Sequence, residues 1–165
     1  MSEVYLGNPN LKKANTEIEF TEEQIIEFLK CKEDPVYFAN NYIKIVSLDE
    51  GLTQFHPYDF QEKLIHNFHE NRFNICKMPR QTGKSTTVVS YLLHYAVFND
   101  SVNIGILANK AATARELLGR LQTAYENLPK WMQQGIVAWN KGSLELENGS
   151  KILAASTSAS AVRGM

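Results

Sequence analysis

The sequence predicts an α/β fold: a mostly parallel sheet with helices, beside an N-terminal helical subdomain. Three observations predict it. After Asn71 the chain alternates short apolar runs with stretches of helical periodicity. Gly83-Lys84-Ser85 falls where the first of those runs passes into the first of those helices. Before Asn71 the clearest signals are helix caps. The 165 residues suffice for a sizeable core. They divide into residues 1–70, an arm and helical subdomain, and residues 71–165, the first part of the α/β core.

Residues 1–20 show no periodicity and read as an extended arm. Thr21-Glu22-Glu23-Gln24 is a capping box that opens a helix. Asp34 before Pro35 caps a second helix, read through "DPVYFANNYIKIV". The stretch "SLDEGLTQFHP" carries turn chemistry at Gly51 and Pro57 and reads as a loop. A third helix covers "YDFQEKLIHNFHEN", with Phe60, Leu64, Ile65 and Phe68 on one face. "RFNICKM" then reads as a short buried strand. "KSTTVVSYLLHYAVF" is apolar nearly all round, as for a helix buried between a sheet and a further layer. "SVNIGILA" is a second strand, followed by a long amphipathic helix, "NKAATARELLGRLQTAYENLP". Trp131 and Trp139 flank a short connection and read as packing residues. "SLELENGSKILAAS" is a hairpin turning at Asn148-Gly149.

Composition narrows the class. No run of 18 or more apolar residues occurs, and the N-terminus lacks a signal-peptide core. Cys31 and Cys76 lack disulfide or zinc spacing and read as small buried hydrophobes in a reducing compartment. The net charge of −1 conceals an asymmetry. Residues 1–70 hold 13 acidic and 6 basic residues, net −7; residues 71–165 hold 5 acidic and 11 basic, net +6. A basic second part suits phosphates, from nucleotide or nucleic acid.

"KMPRQTGKST" fits a phosphate-binding loop in its strand–loop–helix context. Backbone N–H groups of Arg80, Gln81, Thr82, Gly83 and the helix start through Thr86 would face phosphate. Lys84 would reach the β- and γ-phosphates, and Ser85 would offer its hydroxyl to Mg²⁺ carried with ATP. Met78 stands where the usual pattern has its first glycine, so the loop must start with a different shape, stiffened by Pro79. Arg80 adds a second cation, either for charge on the transferring phosphoryl group or for pairing with a nearby carboxylate. Upstream, Gln61 has the amide chemistry to read an adenine edge, with Phe60 beside it to pack on the purine. Helicase-like motors place such a glutamine here.

With these residues in view, the chain resembles the N-terminal ATPase part of the large terminase subunit of T-even-like tailed phages. The resemblance runs over residues 5–164, through "YLGNPNLKKAN", "YDFQ", "RQTGKST", "GILANKAATARELL", "WNKGSLELENGS" and "SASAVRG". It implies a P-loop NTPase core of RecA and helicase type. It implies an ATP-driven motor that packages double-stranded viral DNA into a procapsid. It further implies a pentamer docked on the portal protein, a small terminase subunit as partner, and no membrane. The place of action would be the host cytoplasm, on the procapsid portal, outside the mature virion. That family's phosphate loop characteristically lacks the first glycine, as here.

The resemblance also implies a strand ending in Asp-Glu soon after Arg163, then a nuclease. No apolar run ending in Asp-Glu follows Lys84. The chain is therefore expected to be an incomplete core: an exon, a split-gene product or a truncated chain, deficient in hydrolysis by itself. The alternatives are a helicase-type remodelling ATPase and an inactive remnant of a split gene. Lys110 and Arg115, after the second strand, are candidate DNA contacts, and Arg163 before Gly164 is a candidate γ-phosphate sensor. His66 and His69 have no third partner and read as ordinary helix residues.

Overall fold

The computed structural model describes residues 3–47 and 49–157. A 3-10 turn at Tyr5–Gly7 precedes α1 (Glu22–Glu33), α2 (Pro35–Tyr42), β1 (Lys44–Ser47), β2 (Gly51–Gln54) and α3 (Asp59–Glu70). Then come α4 (Lys84–Phe98), β3 (Asn103–Ala108), α5 (Ala111–Glu126), β4 (Ile136–Trp139), β5 (Ser143–Leu146) and β6 (Lys151–Ser156).

The caps form as the sequence predicts. Thr21 Oγ1 accepts the Gln24 N–H, and Gln24 Oε1 accepts the Thr21 N–H. Asp34 Oδ1 takes the N–H groups of Val36 and Tyr37 at 2.8 and 3.1 Å. The second helix stops at Tyr42, short of its predicted end; the end of that stretch becomes β1, which pairs antiparallel with β2 in the predicted loop. Gln54 makes this turn of the chain: its Nε2 donates to the carbonyls of Asn40 and Ile43 at 3.0 and 2.9 Å. Those acceptors are the free ends of α2 and the residue after it, which no sequence window could assign to Gln54.

The main sheet has the order β3-β6-β5-β4. β3 and β6 run parallel, while β6–β5 and β5–β4 are antiparallel. The expected mostly parallel sheet is thus mixed. Short turns join β4, β5 and β6, and a short turn admits only an antiparallel neighbour. Asn148-Gly149 does turn the hairpin, with Gly149 at φ +81°. Its side chains also end α4: Asn148 Nδ2 donates to Ala96 and Asn99 carbonyls, and Ser150 Oγ to Asn99. The expected connection between the tryptophans holds β4 instead.

The predicted strand at 72–78 is not one. Residues 71–79 pair with no strand, and Phe73 and Ile75 are 83% and 100% exposed. Apolar, β-favouring residues suit a ladder but do not supply its neighbour.

The sheet buries Ile104, Ile106, Leu144, Leu146, Ile152 and Ala154. Packed on β3 and β6 is α5, whose buried stripe is Ala114, Leu118, Leu121, Ala124 and Tyr125. α4 lies between α5 and the pair α2 and α3, so its burial comes from helices on both sides. Phe98 meets Phe28 and Phe38 edge-on at 4.9 and 5.3 Å. Trp131 against Tyr42 and Trp139 against Tyr125 are packing contacts, as expected. Cys31 is buried and its thiol is pushed up to about 12, first by burial; Cys76 is only half-buried.

The arm is fastened to the sheet. Lys13 bridges to Ile136, and the Ile136 N–H donates to the Lys12 carbonyl at 2.8 Å. Buried Gln133 accepts the Lys12 N–H and donates to the Asn10 carbonyl, both at 2.9 Å. Lys12 Nζ lies 3.1 Å from Glu147 Oε1, and Glu147 also accepts N–H groups from Gly135 and Asn15. A Cβ at Gly135 would stand 2.5 Å from Ala14 Cα, so the arm crosses where only glycine fits.

Burial raises the Glu147 pKa, but the bonds from Gly135, Asn15 and Lys12 outweigh it and hold the carboxyl below its usual range. A carboxylate depressed in the folded state stabilises above its unfolded value, and that stabilisation is lost as pH falls through the folded value. Glu147→Ala should cost about 3 kcal/mol at neutral pH, because Lys12 keeps its burial and loses its partner. Urea unfolding of both chains should show the difference shrinking in acid below the carboxylate range. A constant difference would exclude this linkage.

His94 behaves oppositely in charge. Its Nε2 donates to the Cys31 carbonyl at 2.8 Å, and Nδ1 has no hydrogen-bond partner among the described residues. Burial pushes its pKa down to about 4. A base depressed on folding keeps its contribution above the ordinary imidazole value of 6.5 and loses it from there down toward about 4. His94→Phe should cost about 1 kcal/mol at neutral pH, from the orphaned carbonyl. It should also flatten the loss of thermal stability across that acid window; equal slopes would exclude a role for His94.

Candidate phosphate-binding site

The loop from Pro79 to Gly83 leads directly into the N-terminus of α4. Gly83 is the N-cap, at φ +71°, and no side chain caps the helix. The first N–H groups of α4 therefore have no acceptor within the helix, and the helix dipole adds positive potential at the same point. Gln81 also takes a left-handed conformation, φ +64°, whereas Met78 does not. This explains how the loop does without its first glycine: the turn is made at 81 and 83, and 78 is never asked for positive φ. Thr82 Oγ1 closes the loop on the Pro79 carbonyl at 3.1 Å.

Gln61 holds this loop from α3. Its Oε1 accepts the Tyr58 N–H at 2.9 Å, capping α3. Its Nε2 donates to the Thr82 carbonyl at 3.1 Å, and the residue is 3% exposed. A Cβ on Gly83 would lie 2.4 Å from that Nε2. Glycine at 83 thus meets two demands at once, positive φ and room for the Gln61 amide. Phe60 is exposed and stacks on Tyr58, ring centroids 5.8 Å apart and 12° from parallel.

A cavity of about 430 Å³ opens over the loop, lined by Pro79, Arg80, Gln81, Thr82, Gly83, Lys84, Ser85, Thr86 and Arg120. No carboxylate lines it. Among the described residues the ion pairs are Lys12–Glu147, Lys30–Glu27, Arg120–Glu116 and Lys151–Glu145, so Arg80 and Lys84 stay unneutralised. Of the two roles open to Arg80, pairing with a carboxylate has no partner among the described residues. Two free cations, open backbone N–H groups and a helix N-terminus make a site for a polyanion.

The structure thus brings Arg80, Gln81, Thr82, Gly83, Lys84, Ser85 and Thr86 into one cavity, with Gln61 bonded to the loop at Thr82, while Phe60 is outside that lining, stacked on Tyr58. Lys110 and Arg115 are exposed at the start of α5, away from that lining. Arg163 lies outside the described residues. His66 is exposed, and His69 packs near Tyr91 and His94. No cluster of metal-ligating residues occurs among the described residues. Arg120 was not singled out in the sequence; its Glu116 partner four residues back marks an ordinary exposed helix pair, and only the packing of α5 on α4 brings it to the loop.

A family model of the terminase large subunit, T4-like-virus type, N-terminal part, matches residues 75–165. That is more than half of the chain and includes the whole loop. The chain belongs to this terminase family. Membership implies a part in phage DNA packaging, with DNA and packaging machinery as partners in general, and the family is generally one of ATPases. Among the described residues of this terminase chain, no helix is long and apolar enough to cross a membrane.

The contact between Gln61 and residue 83 of the terminase chain is open to a direct test. Gly83→Ala should destabilise by about 2 kcal/mol through overpacking and backbone strain. In a Gln61→Ala background the same change should cost less, since the clash is gone and only the strain remains. Thermal unfolding of the four chains measures the coupling; additive effects would exclude it.

Proposed function

We propose that this chain is the ATP-binding portion of a terminase large subunit, the motor that drives double-stranded viral DNA into a procapsid. One observation carries the reading: an uncapped α4 N-terminus and two unpaired cations share a carboxylate-free cavity. The N–H groups of residues 81–86 hold phosphate oxygens. Lys84 clamps the β- and γ-phosphates. Arg80 neutralises charge on the γ-phosphoryl group, a role worth several orders of magnitude in rate where such arginines act. Phe60 packs on the purine, and Gln61 keeps one amide N–H and one lone pair for the adenine edge while it holds Thr82.

The donor set fits Mg²⁺ only as a companion of ATP. Ser85 offers one hydroxyl at the cavity and no carboxylate lines it, so the phosphate oxygens would have to supply the remaining anionic ligands. When bound, the ion offsets phosphate charge. The role proposed for these residues is binding and positioning of nucleotide.

The finer family expectations complete the proposal. They are a pentamer on the portal protein, a small terminase subunit as partner, and action in the host cytoplasm. Lys110 and Arg115 are offered as phosphate contacts to DNA, and Arg163 as a γ-phosphate sensor.

Lys84→Ala tests the reading. ATP affinity, measured by calorimetric titration with Mg²⁺ present, should fall by about a hundredfold while the circular dichroism spectrum stays the same. Unchanged affinity would falsify the assignment of the loop.

A further inference from the structure

We propose that Arg120 is a further phosphate ligand of this site, held in reserve by Glu116 while no nucleotide is bound. The proposal rests on the reading of the loop as an ATP site and adds a residue from another element. Arg120 lines the loop cavity together with Lys84, Ser85 and Thr86, although it sits on α5, well along the chain from the loop. Its Nη2 lies 2.7 Å from Glu116 Oε1, one helical turn away. Both side chains are half exposed or more, 50% and 63%, so the pair is solvent-screened and weak.

Three physical points favour transfer. A guanidinium fork binds phosphate oxygens as well as it binds a carboxylate, and phosphates carry more charge. The cavity offers Arg120 no other carboxylate, because none lines it. The competing partner stays on the opposite side: Glu116 lines a neighbouring groove of about 750 Å³ between β1, α4 and α5, while Arg120 and Thr86 line both spaces. Arg120 therefore stands at the boundary between the groove and the loop. Turning it to the phosphates costs one exposed ion pair, which is weak.

The selectivity follows from the chemistry. Arg120 enters the cavity from α5, an element other than the loop whose N–H groups face the inner phosphates, so it is free to serve the outermost one. It should favour ATP over ADP and have no effect on adenosine.

The test is calorimetric titration of the 165-residue chain with ATP, ADP and adenosine, with Mg²⁺ present. Arg120→Ala should weaken ATP by about tenfold, ADP by less, and adenosine not at all. Glu116→Gln should tighten ATP by about twofold, since it frees Arg120 from an exposed helix pair. Normal ATP affinity in Arg120→Ala, with Lys84→Ala defective, overturns the proposal and leaves the ATP site standing. Normal affinity in both variants overturns the ATP site and this proposal with it. If Arg120→Ala disturbs the helical spectrum, Glu116→Gln decides: unchanged or weaker ATP binding there overturns the proposal.

Discussion

The hydrogen bond from the Gln61 amide to the Thr82 carbonyl is the constraint on which the site depends. The segment before the candidate phosphate loop belongs to no ladder, so no sheet fixes the loop from that side. Its place is set by α4, which the loop opens, and by α3, through one buried amide. That amide simultaneously caps α3 at Tyr58, so the helix start and the loop move as a unit. Gly83 is the complementary half of the arrangement, since any side chain there would displace the amide. A residue expected to serve a base thus serves the protein backbone first.

A second tie of the same kind joins distant parts of the chain. Gln133 and Glu147 use side-chain oxygens and nitrogens to hold the backbone of residues 10–15 against β4. The arm gains a single backbone bridge to β4 at Lys13 and Ile136, and these side chains extend the attachment where no continuous ladder forms. Buried polar groups carry this attachment, and each is satisfied, which is what makes the crossing at Gly135 specific rather than merely close.

Charge organises the remainder. The acidic surplus of the first 70 residues and the basic surplus after them are visible in the sequence. The fold then places two of the basic side chains, Arg80 and Lys84, where no carboxylate reaches them, and keeps a third, Arg120, on a weak exposed pair beside them. Packing has left positive potential concentrated at a helix N-terminus. Such an arrangement is unfavourable to the empty protein and favourable to a bound polyanion.

The sequence by itself determined what depends on neighbours along the chain. The capping box at Thr21, the Asp34 cap and the Asn148-Gly149 turn all rest on contacts within a few residues, and all formed. The family, too, was legible in those short motifs, and the match over residues 75–165 bears it out. Tertiary structure alone decided the rest. It made the sheet mixed, turned the end of the predicted second helix and the loop after it into the β1–β2 hairpin, and left residues 72–78 without a ladder. It also tied the Gln61 amide to Thr82 and carried Arg120 to the loop. The physical reason is common to all five: a ladder, a buried amide and a cavity wall each need a partner remote in sequence, and composition records the donor without naming its acceptor.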